Sequence, residues 1–132
     1  MQAAGLVSLL ALMLAPAVAV TQNPRPRQAE VEASANLDAD DVEPVLQRLS
    51  SLVSSGFSAH DAHILAIQIA AQPVRTEETH MIGVTFAGHR AAIRVVVWKD
   101  DPQAYNIYFF TAPDLAAALN RAIAAHMAAV GK

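Results

Sequence analysis

From Glu77 onward the apolar residues recur at every second position, and this alternation constrains the fold more than any other feature. The runs "THMIGVTF" (79–86), "HRAAIRVVVW" (89–98) and "YNIYFFT" (105–111) are rich in β-branched and aromatic side chains. Such residues suit a pleated, half-buried surface. Ala87-Gly88 supplies a two-residue turn between the first two runs. That turn predicts a register with Phe86 opposite His89, Val84 opposite Ala91 and Ile82 opposite Ile93. One face then carries Ile82, Val84, Phe86, Ile93, Val95 and Val97 and must meet a core. The other carries Thr79, Met81, Thr85, Arg90, Arg94, Val96 and Trp98. "KDDPQA" (99–104) reads as a polar loop into the third strand.

A sheet with one apolar face needs a covering layer, and three helical stretches can provide it. The first begins in "LDADDVEP", where Asp40 or Asp41 can cap it and the acidic cluster complements the helix dipole. Pro44 falls in its first turn, where a missing N–H loses no helical bond. Val42, Val45, Leu46, Leu49, Leu52 and Val53 recur at three- and four-residue spacing, and Gly56 suits a left-handed stop. The second helix opens in "FSAHDAH", with Ser58 as cap and Asp61 three residues on, and ends at Pro73. The last opens at "TAPD", with Thr111 as cap and Pro113 in the first turn, and is alanine-rich. The expected fold is therefore α+β: two N-terminal helices, a three-stranded antiparallel meander, and a C-terminal helix packed on one face of the sheet. With 132 residues, a single domain over residues 37–132 is expected.

The front of the chain reads differently. "MQAAGLVSLLALMLAPAVAV" has no charged side chain, and Ala17 and Ala19 form the small-x-small pattern of a signal peptidase site. Residues 1–19 are read as a signal peptide and residues 20–36 as a flexible linker, which places the domain in the periplasm or outside the cell. A retained anchor is the rival reading, since Ala3 to Val20 approaches the ~20 apolar residues of a membrane span; contact with a membrane is expected only in that case. There is no cysteine, so neither lipid attachment at a cysteine nor a disulfide is available.

Several function classes find no support. The net charge of −3 disfavours a phosphate-backbone binder, and "NPRPR" is too sparse a basic patch to reverse that. The α-β-β-β-α order resembles the double-stranded RNA-binding domain, a family that contacts phosphate through lysines at the start of its last helix. Here that position reads "TAPDLAAALNRA", with Asp114 and no lysine, so nucleic acid is not expected as a partner. No cysteine nucleophile, G-x-S-x-G elbow or glycine-rich phosphate loop occurs. A small hydrolase or isomerase would need an acid–base pair that no motif marks. His126, near the packed side of the last helix, has no signposted nucleophile.

His60 and His63 are the metal-ligating alternative, sharing one helix face with Asp61 between them. They lack the H-E-x-x-H spacing of zinc helices. In the predicted register His80 and His89 lie roughly 20 Å apart along the strands, so only one of them can join the pair. The motif reads first as a helix cap, and no cofactor is expected.

The second face of the sheet is the better candidate. Six of the seven aromatic residues fall between Phe86 and Phe110. With Ile107 and Phe109 turned inward, Tyr108 and Phe110 join Arg90, Arg94 and Trp98 on the outer face. Tryptophan, tyrosine and arginine dominate interface energies, and an exposed patch of them has a partner as a rule. The first helix, a second copy of the chain, or a protein or small ligand of the cell envelope are the candidates to cover it. The expected function is a small exported, non-catalytic binding module.

Overall fold

The computed structural model describes residues 25–26 and 29–131. The signal-peptide reading and most of the linker reading therefore lie outside the described residues. The elements are β1 (Val31–Asp38), α1 (Ala39–Leu52), α2 (Ala59–Ala70), β2 (Glu77–Phe86), β3 (His89–Lys99), β4 (Ala104–Thr111) and α3 (Pro113–Ala129). The fold is α+β, with a four-stranded antiparallel sheet in the order β1-β4-β3-β2.

The hairpin register is the predicted one: Phe86 pairs with His89, Val84 with Ala91 and Ile82 with Ile93. Ala87 and Gly88 both take positive φ, as a tight two-residue turn requires. The strand count is corrected from three to four. Residues 31–36, expected as the end of a linker, belong to β1, which pairs along its length with β4. "VEASANLD" alternates correctly, with Ala33 and Leu37 buried between exposed Glu32, Ser34, Asn36 and Asp38. Its alanine, serine and asparagine carry little strand propensity of their own. Pairing with the aromatic β4 makes the strand.

All three helices contribute to one core. Val42, Val45, Leu46 and Leu49 of α1, Ala62, Leu65 and Ile69 of α2, and Leu115, Leu119 and Ile123 of α3 pack with Ile93, Val95, Val97, Ile107 and Phe109. The first helix thus covers the apolar face and does not lie on the second. The caps differ in part from expectation. Asp38 precedes α1 without a side-chain capping bond, while Asp41 is buried inside the first turn. Thr111 ends β4 and donates its hydroxyl to the Ala92 carbonyl at 2.7 Å, leaving Ala112 and Pro113 to open α3. Ser58 and Asp61 form the full reciprocal capping box.

Two contacts seat α2. The loop before it pairs with β2, where the Ser54 N–H donates to the Thr85 carbonyl at 2.7 Å and the Thr85 N–H to the Ser55 carbonyl at 2.9 Å. Gly56, at φ +100°, passes so close that a Cβ there would lie 2.2 Å from the Gly83 carbonyl oxygen. At the far end, Lys99 is 3% exposed and its ammonium donates to the carbonyls of Ile69, Ala70 and Gln72 at 3.4, 3.0 and 2.7 Å. This cation neutralises the exposed carbonyls of a helix C-terminus. Among the described residues, no helix is long and apolar enough to cross a membrane.

Candidate functional site

The ladder sets the second face out in rows across the strands. Glu32, Phe110, Arg94 and Met81 form one row; Ser34, Tyr108, Val96 and Thr79 the next; Asn36, Asn106, Trp98 and Glu77 the third. No described helix lies over it. All five expected residues are on this face or its hairpin end, yet they play different parts.

Arg94 and Phe110 form its floor. Arg94 is 8% exposed and Phe110 fully buried. The guanidinium lies 4.4 Å from the Phe110 ring centroid, and Tyr108 stacks on Phe110 with centroids 6.3 Å apart. An arginine over an aromatic face is held by the ring quadrupole. Arg94 also donates to the Arg25 carbonyl at 2.7 Å and to the Glu30 carboxylate at 3.1 Å. Arg25 and Glu30, both ahead of β1, therefore contact β3. The expectation that Arg94 and Phe110 face solvent is corrected on this ground. No strand or helix pattern reports a contact made by an irregular segment 64 residues away.

Trp98 and Tyr108 are half-buried, and Arg90 is exposed at the hairpin end, apart from both. The Trp98 indole N–H donates to one Asp100 oxygen at 2.8 Å, and the Asn106 amide donates to the other at 2.7 Å. Asp100 thereby fixes the indole in one orientation. Asp100 also lines a recess of about 240 Å³, together with Asn36, Leu37, Asp38, Ala104, Tyr105 and Asn106. Burial raises the Tyr108 phenol above its ordinary range, and the carboxylates of Glu32, Asp100 and Glu77 add to the effect. Sequence reasoning placed Asp100 in a loop; its role follows from Trp98 lying two residues away on the same face.

The histidines are dispersed. His63 Nδ1 meets the Glu43 carboxylate at 3.0 Å, tying α2 to α1 at the surface, and His60 is exposed. Asp61 accepts from the backbone N–H and hydroxyl of Ser58, in that order of effect, which holds its carboxyl below the ordinary range. Among the described residues, no group of three or more histidine and carboxylate side chains is placed to hold a metal ion. His126 Nε2 lies 3.1 Å from Asp41 Oδ1, both buried.

Comparison with known proteins finds no matching family model, no similar curated protein and no similar solved structure.

Proposed function

We propose that the chain is a small binding module, exported to the periplasm or beyond the cell, whose partner sits on the sheet face opposite the helices. The observation that carries this reading is the fixed indole of Trp98, held by Asp100, which also lines the recess. A half-exposed aromatic locked in one orientation contributes contact area without paying the ordering entropy on binding. Arg94 and Phe110 act below as the support of Tyr108, while Trp98 and Tyr108 make the contact; Arg90, at the hairpin end, joins it only for a partner that spans the sheet. The partner is a protein or small ligand of the cell envelope that presents an apolar surface ringed by hydrogen-bonding groups.

The test is a photo-reactive amino acid placed at Tyr108 in the producing cells. A specific adduct with another envelope component, lost on Trp98→Ala, supports the reading. Adducts with the chain itself only, or none, overturn it. Export is tested separately by sequencing the N-terminus of the recovered chain, which is expected to start at Val20.

A further inference from the structure

The sheet face opposite the helices has an apolar floor. Phe110 is fully buried there and Val96 is 1% exposed, although all three described helices pack on the other face. Val96 shares its row with Ser34, Tyr108 and Thr79. Met81, on the Arg94 row, is 56% exposed. Buried valine and phenylalanine are core residues by type, and an apolar sheet face is stable under a second apolar layer.

The chain itself enters at this floor. The Arg25 carbonyl accepts from Arg94 at 2.7 Å, and Arg94 belongs to β3, an inner strand of the sheet. The residues before Arg25 therefore begin within the face and not at its rim. Five residue steps back from Arg25 to Val20 span at most about 17 Å. The Arg94 and Trp98 rows lie four residues apart along β3, roughly 13 Å, so that tether reaches the whole face. Ala3–Val20 has no charged side chain and contains Leu6, Leu9, Leu10, Leu12 and Leu14. The buried guanidinium of Arg94 is already paired with Glu30, so an uncharged cover does not isolate a charge. A segment on so short a tether meets the face at an effective concentration that a free partner rarely matches.

We propose that this face is the docking surface of the chain's own apolar segment, Ala3–Val20, which in the uncleaved chain covers Met81, Phe110, Val96 and Trp98. On the reading of the chain as an exported binding module, removal of residues 1–19 then opens the Trp98–Tyr108 surface to its partner. The docking itself does not depend on that reading.

The experiment uses the intact 132-residue chain, purified without detergent and with no other envelope component present. A photo-reactive amino acid at Met81 is expected to give an intramolecular adduct that maps within residues 3–20. Trp98 is the one tryptophan of the chain, so its fluorescence reports the face directly. Leu10→Asp combined with Leu14→Asp should abolish the adduct, because a carboxylate is costly to bury. The same double variant should shift Trp98 emission to the red and remove its protection from acrylamide quenching. Adducts confined to residues 21–30, adducts that join two copies, or Trp98 emission and quenching unchanged in the double variant each overturn the proposal. With no partner present, failure of the binding role leaves all of these readouts as they are.

Discussion

His126, near the end of α3, sets its Nε2 3.1 Å from Oδ1 of Asp41 in the first turn of α1, and both side chains are buried. The pair ties together two helices separated by most of the chain. A buried polar group that loses its partner keeps its desolvation penalty. His126→Ala is therefore expected to destabilise the fold by about 1–3 kcal/mol, and Asp41→Ala by a similar amount. The double variant should fall short of the sum, because the two changes share the interaction between these side chains. Urea denaturation of the four chains measures the coupling; full additivity would show the two groups to be independent.

Lys99 supplies the cap of α2. Lys99→Met keeps an apolar side chain but removes the ammonium from three carbonyls and from the face of the Tyr105 ring. The expected loss is about 2 kcal/mol, the range for charged hydrogen bonds. Lys99→Arg should recover little of it, since a planar fork does not fit a cradle built for a compact ammonium. Hydrogen exchange should localise the change to the last turn of α2.

Lys99 also shows where the chain is legible from sequence and where it is not. The β2–β3 hairpin could be read because alternation and the Ala87-Gly88 turn agree with one another. The Ser58–Asp61 box could be read because capping is local. Lys99 was hidden at the head of a polar run, and its burial depends on α2, which precedes it by some thirty residues. β1 was hidden by weak propensity, since only β4 makes a strand of it. At the candidate site, alternation correctly assigned Trp98, Tyr108 and Phe110 to one face. It could not assign depth, because the cover of Arg94 comes from Arg25 and Glu30, outside any periodic element.

The helix cap predicts an acid limb of stability. Asp61 has its carboxyl pKa lowered below 3.8 by the Ser58 bonds, so the folded state prefers the ionised form. That contribution is present above the ordinary value and is lost as pH falls through the lowered one. Asp61→Asn should flatten the fall in urea midpoint between neutral pH and about pH 2 that this group contributes. An unchanged acid limb in the variant would remove Asp61 from the account.

Tyr108 predicts the opposite limb. Its pKa is raised above 10.0, first by burial and then by Glu32, Asp100 and Glu77, so the folded state prefers the neutral phenol. Stability from this group is intact below the ordinary value and falls as pH rises through the raised one. Of the two tyrosines in the chain, ultraviolet titration of Tyr105→Phe isolates Tyr108 and should show late ionisation. Tyr108→Phe should remove its share of the alkaline loss.

Arg94 and Glu30 give the sharpest contrast between charge and packing. Their side chains are 9% and 17% exposed, with 3.1 Å between Nη2 and Oε1. Glu30→Gln keeps an amide oxygen that can accept from the guanidinium but removes the countercharge from a buried cation; a loss of about 2 kcal/mol is expected, within the range for charged hydrogen bonds. Arg94→Met removes the more buried of the two charges and keeps an apolar side chain beside Phe110, its ladder neighbour. Its loss should be smaller, about 1 kcal/mol. Urea denaturation of both variants decides the order. If Arg94→Met is the more damaging, the guanidinium stabilises the face by attraction to its partners, and the burden of an unpaired buried charge is not the governing effect.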